Sequence, residues 1–204
     1  MIVGIEHIWF DFTDTIASMD RGVLDGMLHA LYGEVHKRDV TPELVEEYKR
    51  EVQEKKSNSA VFSALGLPAG YVSDKLASHG NMYRLTDENI PTVLKTLRTI
   101  LPISIFSNAR LDVMLPSLGI DPKLFTHILG PDQVQNPKPA LDGFYKMIEL
   151  SNTLPKHILF VGDDVHKDLL PAKGLGIKTG LLWQTSPEAD YCFSDFSDIL
   201  KRFQ

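Results

Sequence analysis

The sequence has little cysteine, no long apolar run and no block of basic residues, and each absence excludes a class of protein. The single cysteine, Cys192, cannot form an internal disulfide, and its place in a late apolar run favours a buried, unreactive thiol. No apolar run approaches the roughly 20 residues that a membrane-spanning helix needs. The amino-terminal stretch lacks the layout of a signal peptide, so we expect a cytoplasmic protein with no membrane partner.

The charge pattern argues against nucleic acid as a partner. The 21 Lys and Arg residues are spread through the chain and are outnumbered by 27 Asp and Glu, which gives a formal net charge of −6. Binding to a phosphate backbone needs a concentrated basic patch, and none is present. The seven histidines show no paired metal-ligand spacing, so structural or surface roles are expected for them. No particular oligomeric state is predicted.

The chain alternates apolar strands with amphipathic helices. A strand is predicted from Ile5 to Phe10, because a mixed run of branched and aromatic residues ends there in a polar cluster. Strands are also predicted in PISIFSN, THILG, HILFVGDD and KTGLLWQ, and helices in DENIPTVLKTLRTI, LDGFYKMIELS and DLLPAKGLG. The rhythm predicts an α/β fold with a doubly wound parallel sheet.

A helical stretch interrupts this rhythm early in the chain. From Arg21 to about Arg84 the pattern is helical, with no strand signal. Thr86 is then expected to cap the helix that follows it. We therefore predict a core domain formed by residues 1–18 and 86–204, and a small helical cap domain formed by residues 19–85.

Polar residues follow the predicted strands at several points along the chain. Carboxyl ends of parallel strands meet at one edge of a sheet, which is where open α/β sheets keep their chemistry. Carboxylates that converge from two strand ends suit a hard cation such as Mg²⁺, whose remaining charge a lysine can balance. The residues expected at this edge are Asp11, Thr15, Ser107, Asn108, Lys138, Asp163, Asp164 and Asp168.

Four segments, in order along the chain, resemble the motifs of the haloacid dehalogenase superfamily. They are FDFTDT, IFSN, KPALDGF and VGDDVHKD, and the helical stretch resembles that superfamily's small cap only loosely. The resemblance implies a phosphoryl-transfer hydrolase in which Asp11 is the nucleophile and Mg²⁺ is held by Asp11, the Thr13 carbonyl, Asp163 and Asp168. It also implies that the phosphate of a small phosphorylated metabolite is bound by Thr15, Ser107, Asn108 and Lys138, with Lys138 also acting in catalysis.

One position departs from the superfamily pattern. Its phosphatases usually carry a second aspartate, two residues after the nucleophile, as a general acid and base. Thr13 occupies that position here, and a threonine hydroxyl is too weak an acid for that role. Either the neighbouring Asp14 takes over proton transfer, or Asp14 points outward or caps a turn.

Simpler structural roles remain open for the same residues. Asp11 and Ser107 can cap helices, Asp163 and Asp168 can belong to a solvated turn, and Lys138 can be a surface lysine in a rigid loop. Phe62, Tyr71 and Tyr83 are expected in the core of the cap. Three functions are compatible with the sequence: a Mg²⁺-dependent phosphatase with low activity toward alkyl esters, a haloacid dehalogenase-like hydrolase, and a degenerate protein that only binds a phosphorylated ligand or a protein partner.

Overall fold

The predicted parallel sheet is confirmed. The computed structural model describes residues 1–77, 79 and 82–203. Its strands are β1 (His7–Phe10), β2 (Ala17–Ser18), β3 (Arg84–Leu85), β4 (Ile103–Phe106), β5 (Ile128–Leu129), β6 (Ile158–Gly162), β7 (Lys178–Leu182) and β8 (Tyr191–Phe193). Six of them form one sheet in the order β5-β4-β1-β6-β7-β8, with every pair parallel.

Helices cover both faces of this sheet. They are α1 (Arg21–His36), α2 (Pro42–Lys55), α3 (Asn58–Ala64), α4 (Tyr71–Ala77), α5 (Ile90–Ile100), α6 (Leu111–Ser117), α7 (Asp142–Ser151), α8 (Leu170–Gly174) and α9 (Phe196–Lys201), with a π-helical turn at Val165–Leu169. Among the described helices, none combines the length and the apolar character that a bilayer crossing requires.

Side chains of the central strand alternate between two hydrophobic clusters. On β1, Ile8 and Phe10 belong to the cluster on one face, whereas Trp9 joins Phe106 and Phe160 on the other. All five of these side chains are fully buried. A strand that is covered on both faces needs apolar residues at consecutive positions, which explains why its sequence shows no polar alternation.

The strand order reverses at β1, and the candidate site lies at this point of reversal. Ile8 of β1 pairs with Ile103 of β4 on one side and with Leu159 of β6 on the other. The connections therefore leave this strand in opposite directions, which opens a crevice beyond its carboxyl end. Asp11 follows β1 at this crevice, and Asp163 follows β6.

The helices α1 to α4 follow one another between β2 and β3. The starts of α1, α2 and α3 have side-chain caps, since Asp20, Thr41 and Ser57 accept hydrogen bonds from backbone N–H groups of the first turn. Tyr48 and Phe62 are buried and their rings pack against each other in this helical region, so Phe62 is a core residue as predicted. The division into two domains stays a prediction.

Three local predictions were wrong or incomplete. A two-residue antiparallel ladder joins β2 to β3, and two residues are too few to leave a strand signal in the sequence. Thr86 does not cap α5, because its hydroxyl donates to the carbonyl oxygens of Thr15 and Ile16 instead. Cys192 is half-buried rather than buried. The predicted helical stretch also includes Ser78, Gly80 and Asn81, which lie outside the described residues.

Candidate active site

Asp11 lies at the carboxyl end of the central strand and is 1% exposed. Its backbone N–H donates to the carbonyl oxygen of Val161 at 2.8 Å, which extends the ladder to β6 by one residue. Its Oδ1 accepts a hydrogen bond from Lys138 Nζ at 2.8 Å. Its Oδ2 is also buried, and no hydrogen-bond donor among the described residues reaches it. One carboxylate oxygen is therefore held in place, and the other is left for a further partner.

Two other aspartates meet Asp11 at this point. Asp11, Asp163 and Asp168 each present a carboxylate oxygen, and these oxygens lie within 4.8 Å of one another. The Thr15 hydroxyl donates to Asp163 Oδ1 at 3.3 Å. Asp168 is fully buried, and a Cβ on Gly162 would lie 2.7 Å from its Oδ2. Glycine at position 162 therefore leaves the space that the third carboxylate occupies.

Lys138 bridges two of the three carboxylates. Its fully buried Nζ lies 2.8 Å from Asp11 Oδ1 and 2.7 Å from Asp168 Oδ1, and it also donates to the Phe106 carbonyl oxygen at 3.3 Å. The surface-lysine alternative is thus excluded. A buried ammonium that meets three acceptors is held in one position, which is the geometry expected of a residue that orients the candidate nucleophile.

Sequence reasoning missed a second lysine at the cluster. Lys167 Nζ lies 3.4 Å from Asp11 Oδ2, 3.8 Å from Asp168 Oδ2 and 3.9 Å from Asp163 Oδ1. A signal was present, because Lys167 stands four residues after Asp163 inside the acidic motif. In a helical turn that spacing brings two side chains to the same face.

Burial and the neighbouring charges shift the pKa values of the carboxyl groups in opposite directions. Burial favours the neutral form of Asp11, but the nearby ammonium groups of Lys138 and Lys167 outweigh it and lower its pKa. Burial raises the pKa of Asp163 to about 7, and the negative charges of Asp168 and Asp11 add to the rise. Burial, followed by the charge of Asp11, also raises the pKa of Asp168. The cluster thus holds more negative charge than its two lysines neutralise.

The donor set fits a hard divalent cation. Carboxylate oxygens are the ligands that Mg²⁺ prefers, and Asp11 Oδ2 is a buried oxygen without a hydrogen bond. Asp11 and Asp163 are placed to hold the ion, with Asp168 beside them. Both oxygens of Asp168 are engaged, since Oδ1 accepts from Lys138 and Oδ2 accepts from the Asp164 N–H at 3.3 Å. Asp168 is therefore better placed to position its neighbours than to bind an ion directly.

Ser107 and Asn108 follow β4 at the same edge of the sheet. The Ser107 N–H donates to the Leu129 carbonyl oxygen, so it belongs to the sheet and is not free to hold a phosphate. The Ser107 hydroxyl accepts from the Ala109 N–H at 3.2 Å. Asn108 exchanges two hydrogen bonds with the backbone of Lys138, at 2.9 and 3.2 Å. Asn108 thus fixes the loop that presents Lys138, and its predicted phosphate contact stays a prediction.

Asp14 is 21% exposed and pairs with Arg21. Its φ of 62° is left-handed, its carbonyl oxygen accepts from the Trp183 ring N–H at 3.0 Å, and its Oδ2 lies 2.7 Å from Arg21. Burial raises its pKa although Arg21 opposes the shift. Asp164 does cap a turn, because its Oδ1 accepts from the N–H groups of His166 and Lys167, each at 2.8 Å.

Two cavities lie between the helical region and the sheet edge. One, of about 260 Å³, is lined by Thr13, Arg21, Lys56, Asp163 and Lys167 among others, so it joins the carboxylate cluster to cations of the helical region. The other, of about 80 Å³, is lined mainly by apolar side chains, including Leu28 and Met114, and also by Thr13 and Tyr83. The predicted role of Tyr83 as a core residue is thus incomplete, since it also lines this cavity.

The family model for haloacid dehalogenase-like hydrolases matches residues 8–182. The chain belongs to this family. No curated protein matches this hydrolase at a significant level.

Solved structures with the same fold include enzymes of two kinds. The hydrolase resembles a HAD phosphatase from Thermococcus onnurineus (18% identity, TM-score 0.71, 97% of each chain covered). It also resembles YfnB from Bacillus subtilis, a structure bound to magnesium (18% identity, TM-score 0.64, 98% of each chain). A third is 2-haloacid dehalogenase from Pseudomonas syringae (17% identity, TM-score 0.66, 98% of this chain and 100% of that one). At these identities the likeness shows the fold alone.

Proposed function

We propose that this hydrolase is a Mg²⁺-dependent phosphatase that acts on a small phosphorylated metabolite through a covalent intermediate on Asp11. The observation that carries the proposal is that three carboxylates meet within 4.8 Å and that one of them, on Asp11, keeps a buried oxygen that accepts no hydrogen bond from the described residues. Displacement at a carbon atom needs no such cluster, whereas a phosphoryl group brings oxygens that share a cation with carboxylates. The phosphatase from Thermococcus and the magnesium in the Bacillus structure agree with this choice.

The chain's own residues divide the reaction into two displacements at phosphorus. In the first, a carboxylate oxygen of Asp11 forms a bond to phosphorus while the bond to the leaving oxygen breaks. In the second, water attacks phosphorus, inorganic phosphate leaves and the carboxylate is regenerated. Lys138, held at 2.8 Å from Asp11 Oδ1, fixes the orientation of the carboxylate. Bound Mg²⁺ would neutralise charge on the phosphoryl oxygens.

The 260 Å³ cavity carries charges of both signs. Arg21, Lys56 and Lys167 line it together with Asp14, Asp163 and Asp164, so a bound divalent cation would tip the balance toward an anionic substrate. A cavity of this size is slightly smaller than the roughly 300–1,000 Å³ of typical small-molecule sites, which favours a compact metabolite. We further propose that the protein is cytoplasmic, as predicted from the sequence, and that neither nucleic acid nor a membrane is its partner.

Thr13 sets the expected preference among leaving groups. It lines both cavities, two residues after Asp11, and its hydroxyl is no acid near neutral pH. Leaving groups that need no protonation, such as acyl or aryl groups, should therefore react faster than alkyl groups.

The test is release of inorganic phosphate from acetyl phosphate and p-nitrophenyl phosphate, with Mg²⁺ and with EDTA. Asp11→Asn keeps the side-chain size and removes the nucleophile, so phosphate release should require both Mg²⁺ and Asp11. Chloride release from 2-chloropropionate is measured in parallel. Phosphatase activity that persists in Asp11→Asn or in EDTA would contradict the proposal. Release of chloride without release of phosphate would make the protein a dehalogenase.

A further inference from the structure

Lys167 lies beside the three carboxylates of the candidate metal site. Its Nζ is 3.4 to 3.9 Å from an oxygen of each of Asp11, Asp163 and Asp168. The oxygen it approaches on Asp11 is Oδ2, the buried oxygen that no described hydrogen-bond donor reaches. A Mg²⁺ ion binds carboxylate oxygens at about 2.1 Å, so it needs the same small space. Two cations cannot share that space, because they repel each other and overlap.

The local backbone holds Lys167 next to the cluster. Lys167 lies in the π-helical turn Val165–Leu169, and its N–H donates to Asp164 Oδ1 at 2.8 Å. The Lys167 side chain is 17% exposed, in contrast to the fully buried side chain of Lys138. Lys167 also lines the 260 Å³ cavity. It therefore has a path away from the carboxylates, whereas Lys138 has none.

We propose that Lys167 is a tethered cation that holds the three-carboxylate cluster together and that a divalent cation must displace it. The inference rests on the proposed function, since it concerns how the proposed metal site takes up its ion. Displacement would move the ammonium into the cavity and uncover Asp11 Oδ2. Ion binding would then be weaker than the carboxylates alone allow, because each binding event breaks three ion pairs.

The test measures metal affinity in the absence of substrate. Mn²⁺, which suits the same carboxylate ligands, is titrated into the protein, and free Mn²⁺ is followed by electron paramagnetic resonance. Lys167→Met keeps most of the length of the apolar stem and removes the charge, so it should bind Mn²⁺ at least about tenfold more tightly than wild type. Lys167→Arg keeps the charge and should stay near wild type. Lys173→Met is the matched control, because Lys173 pairs with Glu188 away from the cluster.

A second measurement uses the wild-type protein and does not depend on a folded variant. Acetylation of lysine amines by an N-hydroxysuccinimide ester, followed by mass spectrometry, reports how accessible each ammonium group is. Mn²⁺ should speed acetylation of Lys167 several-fold and leave the rates of Lys138 and Lys173 unchanged. If Lys167→Met does not fold, this measurement decides: a rate at Lys167 that Mn²⁺ does not change overturns the inference.

The outcomes separate this inference from the proposed function. Equal or weaker Mn²⁺ binding by Lys167→Met, with clear binding by wild type, overturns the role of Lys167 and leaves the metal-dependent phosphatase intact. No Mn²⁺ binding by either folded protein overturns both. Tighter binding by Lys167→Met supports the displacement whatever the substrate proves to be.

Discussion

The clearest test of the site's electrostatics is removal of the Lys138 charge by Lys138→Met. This ammonium is fully buried and lies 2.8 Å from an oxygen of Asp11 and 2.7 Å from an oxygen of Asp168. Methionine has a similar length and fills most of the same space, so packing changes little. What changes is that two buried carboxylates lose their common partner.

The expected loss of stability follows from that geometry. Removal of one partner from a buried ion pair typically costs about 3–5 kcal/mol, because the other charge stays buried without compensation. Lys167 remains within 4 Å of both carboxylates and offsets part of the loss, so we expect a value near the lower end of that range. With a urea m-value of about 2 kcal/mol/M, a loss of about 3 kcal/mol lowers the unfolding midpoint by about 1.5 M.

Urea unfolding in EDTA at neutral pH measures this loss. Lys178→Met is the matched control, since Lys178 forms a 3.0 Å ion pair with Asp190 at the surface and its side chain is 43% exposed. Such surface pairs contribute about 1 kcal/mol or less. Lys138→Met combined with Asp168→Asn should recover part of the loss, because one orphaned charge is removed. A loss for Lys138→Met no larger than that for Lys178→Met would refute the reasoning.

Three further predictions concern neighbouring residues. Thr13→Asp supplies the missing acid and should raise kcat for an alkyl phosphate by about 10²-fold or more, as measured by phosphate release. The kcat for acetyl phosphate should change little, because its leaving group needs no proton. Burial raises the pKa of Asp163 from 3.8 to about 7, so without metal the folded state binds this proton more tightly than the unfolded chain does. The resulting stability is complete below the unfolded pKa and is lost as the pH rises through 7. Asp163→Asn should therefore flatten the fall in the free energy of unfolding between about pH 4 and 7 in EDTA. Asn108→Ala breaks the two hydrogen bonds to the Lys138 backbone and should cost about 1–3 kcal/mol in urea unfolding.

The sheet could be predicted because its signals are local and strong. Strands such as β1 and β6 are apolar at consecutive positions and end abruptly in Asp11 and Asp163. The parallel topology then brings these aspartates together, since the carboxyl ends of neighbouring parallel strands meet at one edge of the sheet. Lys138 could be brought to this edge only by the resemblance to the family's third motif, because a lysine between two prolines carries no signal of burial.

What could not be predicted depends on contacts between distant parts of the chain. Thr86 looks like a helix cap, but its hydroxyl finds the carbonyl oxygens of Thr15 and Ile16, which lie about 70 residues earlier. Asn108 is predicted to contact phosphate, but the sequence gives no sign that its side chain also pairs with the backbone of Lys138, 30 residues later. A capping or binding residue type shows only that a side chain can form hydrogen bonds. Which partner it takes is decided by the fold.

The π-helical turn after β6 presents two side chains of the cluster. Sequence periodicity places the helix from Asp168 onward, yet the helical backbone begins at Val165. The Asp164 carbonyl oxygen accepts from the Asp168 N–H at 3.0 Å and from the Leu169 N–H at 3.3 Å. Asp163 precedes this turn and directly follows β6, whereas Lys167 and Asp168 lie within the turn. One short segment therefore supplies both the carboxylates that attract a divalent cation and the lysine that opposes it.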